Sequence, residues 1–423
     1  MYKNRQVYKK LEKQINNNKA TILIGPRQVG KTTLMKQLYA TFKKNYPCLY
    51  LDLDIYSNYE KVSTYENCIN TLKLNGYSED SDKRFVLFLD EFQRYDDISV
   101  IIKNIVDNHP NVKIYASGSS SLSIRDKIQE SLAGRKRIVN IYPLSFREYL
   151  HFIDRDDLII KVEKLSEIKS DSLMELVPDL YQELNHFLIY GGYPEVALTP
   201  ISEKKEVLES IFDLYVKKDL VDFLKIDRIK NAKMIINHLA INHGQQISFN
   251  LLSQIAGVDD KTAKNYVEIL KETFLIKVSI PWYTNKNKEL VKMPKIYFID
   301  NGVRNYFINN FNLVDLRDDA SFLFEGFVIS ELLKMDFPDN MIKFWRTKSK
   351  QEIDIILDYE NKVKPVEIKY KKNLKKSDFL GLKNFVENYP QYVPCYLINL
   401  GSNKSDKENI VFLSPFEIET LKR

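Results

Sequence analysis

The sequence contains few cysteines and no long run of apolar residues. Cys48, Cys68 and Cys395 are its three cysteines in 423 residues, and they are scattered and odd in number. This usage argues against a disulfide framework or a cysteine zinc site and favours a reducing compartment. No apolar run approaches the roughly 20 residues of a membrane span, and none follows the start Met1–Arg5 as in a signal peptide. We therefore expect a cytoplasmic protein without a membrane partner.

Strong charge of one sign and internal repeats are missing as well. The formal net charge is +6, and 44% of the residues are hydrophobic. This mild positive balance permits a nucleic-acid partner but does not require one. No internal repeat or low-complexity tract stands out, and a length of 423 residues suggests two to four domains.

The most informative stretch is a glycine-bracketed loop near the start, between an apolar run and a helix-like segment. Gly25, Gly30, Lys31 and Thr32 fill the pattern G-x-x-x-x-G-K-[ST]. Glycines let backbone N–H groups turn toward a phosphate chain, and a helix N-terminus adds its positive end. We expect Lys31 to reach the β- and γ-phosphates of ATP and the Thr32 hydroxyl to bind Mg²⁺. The predicted nucleotide contacts are Gly25, Pro26, Arg27, Gln28, Val29, Gly30, Lys31, Thr32 and Thr33.

A carboxylate pair follows a second apolar run, Phe85–Leu89, which reads as a strand buried on both faces. Beside a phosphate loop, Asp90 is suited to the Mg²⁺ shell, and Glu91 to orienting or deprotonating the attacking water. The pair therefore predicts ATP hydrolysis rather than ATP binding alone.

Two further features of this region are open to two interpretations each. Ser117 and Ser119 end the next predicted strand, where they either contact the γ-phosphate or only form a turn. Arg135 precedes a fifth strand. It either stabilises transition-state charge, in its own subunit or in a neighbouring one of a homo-oligomer, or belongs to a surface basic cluster.

These motifs together resemble a known family. The loop, Asp90–Gln93, Ser117–Ser120, Leu132–Arg135, Pro143–Glu148 and the downstream Gly191–Glu195 are similar to archaeal and bacterial AAA-type ATPases that carry a DUF4143 C-terminal region. The resemblance covers nearly the whole chain. It implies an ATPase core with a strand-inserted parallel sheet, related to AAA+ and signal-transducing ATPases.

The middle of the chain has a different pattern. A helix from Lys233 to His243, a second from Ser248 to Gly257 and a third from Asp259 to Thr273 follow a helix-turn-helix order. The segments 274–280 and 282–288 would form the wing hairpin of a winged helix. Lys261, Thr262, Lys264 and Asn265 lie where a recognition helix meets DNA, whereas Asp259 and Asp260 would repel phosphates. DNA binding and a purely structural packing role both remain open.

Charged residues interrupt two apolar strands near the C-terminus. Glu367 and Lys369 alternate with Ile368 and so share one strand face, and Asp354 lies between isoleucines on the preceding predicted strand. Two carboxylates beside a lysine suit a divalent cation: Asp354 and Glu367 would bind Mg²⁺, Lys369 would position or activate a water, and Glu325 would complete the shell. The pattern resembles the PD-(D/E)XK nuclease superfamily, with Ile353 in place of its usual proline. The alternative is a sheet in which Lys369 forms a structural salt bridge.

These observations predict an α/β protein of four parts. They are a P-loop AAA+-type parallel-sheet domain (1–150), a helical connector (151–227), a winged helix-turn-helix (228–312) and a restriction-endonuclease-like domain (313–423). The predicted function is ATP hydrolysis coupled to action on DNA or RNA, with Mg²⁺-dependent cleavage by the last domain. The alternative is a nucleotide-switched signalling or scaffold ATPase whose nuclease-like domain only binds a partner.

Overall fold

The computed structural model describes residues 3–95, 97–119, 132–165, 177–215, 220, 229–289, 292–359, 362–401 and 409–422. The chain divides into two compact units. The first comprises residues 1–142 with the short segment 272–274, and the second comprises residues 143–271 and 275–423. The division into four parts at residues 150, 227 and 312 stays a prediction.

The first unit alternates strands with helices, as its apolar runs predict. Its strands are β1 (Ala20–Gly25), β2 (Cys48–Asp52), β3 (Phe85–Asp90), β4 (Val112–Ser119) and β5 (Lys136–Asn140). Its helices are α1 (Gln6–Glu12), α2 (Lys31–Phe42), α3 (Tyr56–Glu60), α4 (Tyr65–Leu74) and α5 (Ile98–Asn108). Every residue of β1, β3 and β4 is buried, because helices cover both faces of a parallel sheet.

The five strands form one parallel sheet in the order β2-β3-β4-β1-β5. Strand β4 is inserted between β1, which leads into the phosphate loop, and β3, which ends in Asp90. This agrees with the predicted strand-inserted sheet. The carboxyl ends of β1, β3 and β4 therefore lie along the same edge, where ligands bind in open α/β sheets.

The second unit begins with helices. They are α6 (Phe146–Phe152), α7 (Asp156–Lys164), α8 (Pro178–Tyr190), α9 (Pro194–Leu198), α10 (Lys204–Leu214), α11 (Ile229–Ile241), α12 (Phe249–Ala256) and α13 (Asp260–Glu272). Ser145 and Glu148 form a capping box at the start of α6. Ser248 caps α12, and Gly257 ends it with a φ of 63°, as their residue types predict.

The predicted wing hairpin is wrong in its second strand. Strand β6 (Ile276–Ser279) pairs with β7 (Lys295–Phe298), while the intervening segment contains the one-turn helix α14 (Lys286–Glu289). Trp282 is buried, where it packs against Phe385 and Tyr389 instead of standing on an exposed hairpin. The tryptophan is therefore part of a core and not of the predicted second strand of the hairpin.

The rest of the second unit is a mixed sheet with helices. It contains α15 (Asn301–Phe307), α16 (Ala320–Lys334), β8 (Ile342–Arg346), β9 (Glu352–Tyr359), β10 (Lys362–Lys369), α17 (Leu380–Asn388), β11 (Cys395–Asn399) and β12 (Ile410–Leu413). The sheet order is β12-β11-β10-β9-β8, with β8, β9 and β10 antiparallel and β10, β11 and β12 parallel. Strands β8, β9 and β10 thus form an antiparallel meander.

The glycine pair after α8 packs tightly inside the second unit. Gly191 has a φ of 76°, and a Cβ built on it would lie 2.0 Å from Oδ1 of Asp300. The Gly192 N–H donates to Oδ2 of Asp300 at 2.7 Å. Only glycine fits so close to this buried carboxylate, so the turn has a structural role here.

None of the helices in the described part of the chain is long and apolar enough to cross a membrane.

Candidate functional site

The phosphate-binding loop joins β1 to α2, and its two glycines meet different constraints. A Cβ at Gly25 would lie 2.0 Å from the carbonyl oxygen of Ile141. Gly30 is the N-cap of α2 and has a φ of 93°, which residues with a side chain rarely adopt. Pro26 and Val29 are buried, whereas Gln28 and Thr33 are exposed. The loop thus presents backbone groups at the N-terminus of a 12-residue helix.

The Lys31 ammonium points back into its own loop. Its Nζ donates to the carbonyl oxygens of Gly25, at 2.9 Å, and Pro26, at 2.7 Å. The loop is also braced by Arg5, which the sequence pattern did not single out: Nη1 donates to the Val29 carbonyl and Nη2 to the Tyr142 carbonyl, each at 2.9 Å. A cation held among loop carbonyls fits the binding of a phosphate chain, because phosphate oxygens can replace those carbonyls.

Asp90 ends β3 and is held by two hydroxyl groups. The Tyr50 hydroxyl donates to Oδ2 at 2.6 Å, and the Ser117 hydroxyl donates to Oδ1. Burial, followed by this hydrogen bond, raises the pKa of Tyr50. Asp90 is 1% exposed, so its carboxylate orientation is set by neighbouring strands before any ligand arrives. Ser117 thus contacts the predicted metal ligand, and Ser119 pairs in register with Gly25.

Glu91 adopts a left-handed conformation, with a φ of 54°. Its carboxylate accepts a hydrogen bond from the Gln93 amide. The other amide atom of Gln93, Oε1, is buried without a hydrogen-bond partner among the described residues. A non-glycine residue in this region is strained, and such strain is often stored at functional sites.

Arg135 lies at the opposite edge of the sheet from the phosphate loop. Its carbonyl accepts from the N–H of Ala20, the first residue of β1, whereas the loop begins at Gly25, the last. At about 3.3 Å per residue these positions are about 16 Å apart. The Arg135 side chain pairs with Asp107 at 2.5 Å. The structure therefore does not bring Arg135 to the loop of its own chain, and a role in a neighbouring subunit stays a prediction.

In the second unit, the structure gathers the predicted carboxylates and the lysine on one face of the sheet. Pairing between β9 and β10 runs to Val366 and Ile355, and Glu367 and Asp354 are the next residues of the two strands, close enough for the charge of Asp354 to act on Glu367. The Lys369 ammonium forms an ion pair with Oε1 of Glu367. Asp354 also accepts a hydrogen bond from the backbone N–H of Ile368 at 2.7 Å through Oδ2.

Glu325 reaches the same cluster from α16. It pairs with Lys295 at 3.2 Å and accepts a hydrogen bond from the Tyr297 hydroxyl. Lys295 also pairs with Glu352, which in turn pairs with Arg346 at 3.0 Å. The sequence reasoning missed Lys295, Tyr297 and Glu352. Lys295 and Tyr297 alternate on one strand face in the same way as Glu367 and Lys369, which is the signal that could have revealed them.

Burial dominates the electrostatics of this cluster. It raises the pKa of Glu325 to about 7, although Lys295 acts in the opposite direction. Burial and then the charge of Asp354 raise the pKa of Glu367 well above its ordinary value. Burial alone would lower the pKa of Lys369, but the charges of Glu367 and Asp354 outweigh it and raise this pKa. Such clusters of perturbed groups are frequent at functional sites.

The cluster fits a divalent cation in part. Oε2 of Glu367 is buried, and within the described ranges it has no hydrogen-bond partner. Such an oxygen is a suitable ligand for a hard cation. Against this, Lys369 takes the other oxygen of Glu367, and among the described residues no three histidine, cysteine, aspartate or glutamate side chains are arranged to hold a metal.

The predicted DNA-contacting helix is α13. The Thr262 hydroxyl and its N–H both bond to Asp259, at 2.7 and 2.9 Å, and the Lys264 ammonium lies 5.6 Å from the centre of the Phe249 ring. Asp259 therefore caps the start of this helix and places negative charge there. Contact of α13 with DNA stays a prediction.

Comparison with protein families divides the chain into three matched segments. Residues 17–150 match the AAA domain, residues 181–313 match a domain of unknown function, DUF8612, and residues 320–418 match another, DUF4143. Together with the loop geometry, these matches show an AAA-type ATPase domain and a DUF4143 region in one chain.

Relatives with the same extent occur in distant organisms. An uncharacterized protein of Methanocaldococcus jannaschii is 27% identical over 431 residues, which covers 96% of this chain and 89% of the relative. An uncharacterized protein of Haemophilus influenzae is 25% identical and covers 87% of this chain and 86% of its own length. Among solved structures, a Walker-type ATPase of Pyrococcus abyssi covers 73% of this chain and 96% of its own, with 14% identity and a TM-score of 0.46.

Proposed function

We propose that this protein hydrolyses ATP in its first unit and acts on nucleic acid through a Mg²⁺-dependent, nuclease-like domain in its second. The observation that carries the second part is the meeting of Asp354, Glu367 and Lys369 on one sheet face, with one oxygen of Glu367 buried and without a partner among the described residues. Predicted boundaries for the four parts, at residues 150, 227 and 312, belong to this proposal.

The first unit supplies the groups that ATP hydrolysis needs. Backbone N–H groups of the loop Gly25–Thr33 would bind the phosphates, and Lys31 would exchange its loop carbonyls for phosphate oxygens. Thr32 and Asp90 would hold Mg²⁺, which when bound neutralises phosphate charge. Glu91 would orient the attacking water as general base. Its tie to Gln93 supports a preset orientation, because one hydrogen bond limits the carboxylate's rotation.

In the second unit, Asp354 and Glu367 would hold the divalent cation, with Glu325 close enough to complete the shell. A bound cation would stabilise the negative charge that develops on a phosphodiester. Lys369 would position the attacking water or the phosphate. The buried Oε2 of Glu367 supports this role, since among the described residues it has no hydrogen-bond partner and such an atom is costly inside a protein unless a ligand binds it.

The alternative is a nucleotide-switched signalling or scaffold ATPase whose second unit only binds a partner. The specific observation that favours it is the pairing of carboxylates with lysines: Lys369 with Glu367, and Lys295 with Glu325 and Glu352. A sheet stabilised by such pairs needs no metal. The proposal has two further parts. One is contact of α13 with DNA, and the other is assembly of the protein into a homo-oligomer.

The ATPase part is tested by steady-state ATP hydrolysis. Lys31→Ala should abolish turnover, and Glu91→Gln should keep ATP binding while reducing turnover by at least about 100-fold. Lys36→Ala is the matched control, because Lys36 is an exposed lysine on the same helix α2. Unchanged turnover in Lys31→Ala would overturn the assignment of the phosphate loop.

The nuclease part is tested with purified full-length protein on single- and double-stranded DNA and RNA, in Mg²⁺ or Mn²⁺, with and without ATP. Asp354→Ala should remove any cleavage. Asp358→Ala is the matched control, because Asp358 lies on the same strand but pairs with Lys343 outside the cluster. If the wild-type protein cleaves none of these substrates, the signalling or scaffold function takes its place.

A further inference from the structure

A second buried polar side chain, that of Asn399, lies beside the carboxylate cluster. Asn399 is the last residue of β11, and its side chain is fully buried. In the part of the chain that the structure describes, neither its Oδ1 nor its Nδ2 has a hydrogen-bond partner. Leaving both atoms of a buried amide without partners costs about 1–3 kcal/mol or more. We therefore expect the Asn399 amide to contact another group when the site is in use.

The sheet register places Asn399 next to Lys369. Strands β10 and β11 are parallel, and Lys369 pairs directly with Asn399, as Glu367 pairs with Leu397. Residues paired in this way share a face of the sheet and lie about 5 Å apart between strands. The side-chain amide of Asn399, with its Oδ1, is therefore on the same face of the sheet as the side chains of Lys369 and Glu367.

The Lys369 ammonium pairs with Oε1 of Glu367. A divalent cation bound by Glu367 would compete for this oxygen and repel the ammonium group. The lysine, whose side chain is 24% exposed, then needs an acceptor other than water if it is to stay at the site. The acceptor that the ammonium group binds therefore affects the affinity of the site for the cation.

The other nearby carboxylate is already engaged. Oδ1 of Asp378 accepts from Lys371 at 2.7 Å, and Oδ2 accepts from the N–H of Lys375 at 2.8 Å. Asp354 would itself be a ligand of the cation. Asn399 Oδ1, neutral and without a partner in the described structure, is thus the suitable acceptor.

We propose that Asn399 is a positioning residue of this site: it accepts the Lys369 ammonium when a divalent cation takes Glu367, and so holds the lysine beside the reacting phosphate. This inference rests on the proposed metal site. Lys369 accordingly has two positions, one on Glu367 without metal and one on Asn399 with metal.

The test is a double-mutant cycle on Mn²⁺ affinity, measured by calorimetry on the full chain without nucleotide. The four proteins are wild type, Asn399→Leu, Lys369→Met and the double variant, with Asp354→Asn as the background to subtract. Asn399→Leu should weaken Mn²⁺ binding about tenfold when Lys369 is present and hardly at all in the Lys369→Met background. Asn399→Asp, which keeps an acceptor, should retain the affinity.

Ser414→Ala is the matched control. Ser414 directly follows β12, and its buried hydroxyl likewise has no partner among the described residues, but it lies on the far side of Asn399 from Lys369. It should bind Mn²⁺ as wild type does. If Asn399→Leu does not fold, Asn399→Ser replaces it in the cycle, since its side chain is too short to reach the lysine.

The outcomes separate this inference from the proposed function. If wild type binds Mn²⁺ and the effects of Asn399 and Lys369 are independent, the positioning role is overturned while the metal site stands. If wild type shows no Mn²⁺ binding above the Asp354→Asn background, the metal site is overturned, and this role with it.

Discussion

The substitution Asp354→Asn should stabilise the second unit in the absence of metal. Four carboxylates of the cluster, on Glu325, Glu352, Asp354 and Glu367, are shared among three cations, on Lys295, Arg346 and Lys369. In the described structure the cluster thus carries one excess negative charge when all groups are ionised. Asparagine removes this charge and keeps an oxygen for the Ile368 N–H, which donates to Asp354 at 2.7 Å.

The size of the effect follows from the geometry. Side chains directly opposite on antiparallel strands have Cβ atoms about 5 Å apart, and two like charges at that distance repel by about 3 kcal/mol at an effective dielectric constant of about 20. Part of this repulsion is already relieved, because burial raises the pKa of Glu367 and favours its protonation. The attraction of Asp354 to Lys369 and Lys295 offsets a further part, so we expect a gain of about 1 kcal/mol in local stability.

Hydrogen–deuterium exchange of the amides in β9 and β10 measures this local stability directly. Without metal, Asp354→Asn should exchange more slowly there than wild type. Mn²⁺ at 100 times its dissociation constant should stabilise wild type by about 2.7 kcal/mol and the variant hardly at all. Glu352→Gln is the control: it also removes a carboxylate, from the pairs with Lys295 and Arg346, but should keep its response to Mn²⁺.

Two results would refute this reasoning. Faster exchange of β9 and β10 in metal-free Asp354→Asn would mean that the carboxylate serves as a structural ion pair, which supports the scaffold alternative. Slower exchange with an undiminished response to Mn²⁺ would mean that Asp354 does not bind the cation.

Three further predictions concern the first unit. Arg135→Ala should lower ATP turnover only at protein concentrations where subunits associate; turnover that is normal at every concentration would exclude a role in a neighbouring subunit. Tyr50→Phe removes the hydroxyl that donates to Asp90 and should lower kcat about tenfold, with metal-free ATP affinity unchanged in equilibrium binding. Burial lowers the pKa of Lys113 from 10.5 to about 7. As pH falls, the lysine takes up its proton in the unfolded chain before it does so in the folded one. The free energy of unfolding of the wild type should therefore fall by an amount on the order of 4 kcal/mol between pH 10.5 and 7. Denaturant titrations at several pH values measure this loss, and Lys113→Met should not show it.

Much of the first unit could be predicted because its information is local. The loop Gly25–Thr33 combines an apolar strand, two glycines and a helix start within a few residues, and each follows from backbone conformation. Helix α5 spans Ile98–Asn108, and its apolar spacing and flanking polar residues are likewise short-range signals. Asp90 follows from the same argument, as the end of a fully buried strand.

The second unit was harder, because pairing between distant segments decided it. The segment 282–288 was predicted as the second strand of a wing hairpin, yet β6 pairs with β7, and Trp282 packs in an aromatic cluster. The alternation of Lys295 with Tyr297 is visible in the sequence, but the partners of Lys295 are not, since Glu325 and Glu352 are 30 and 57 positions away.

The sequence by itself determined which chemical groups this protein has: a phosphate loop with its lysine and carboxylate pair, and an alternation of Glu367 with Lys369 on one strand face. Only the tertiary structure decided which groups meet. It placed Arg135 at the sheet edge away from the loop and set Asn399 beside Lys369. The physical reason is that side-chain alternation is a property of one strand, whereas sheet order and register depend on burying the apolar faces of all strands together.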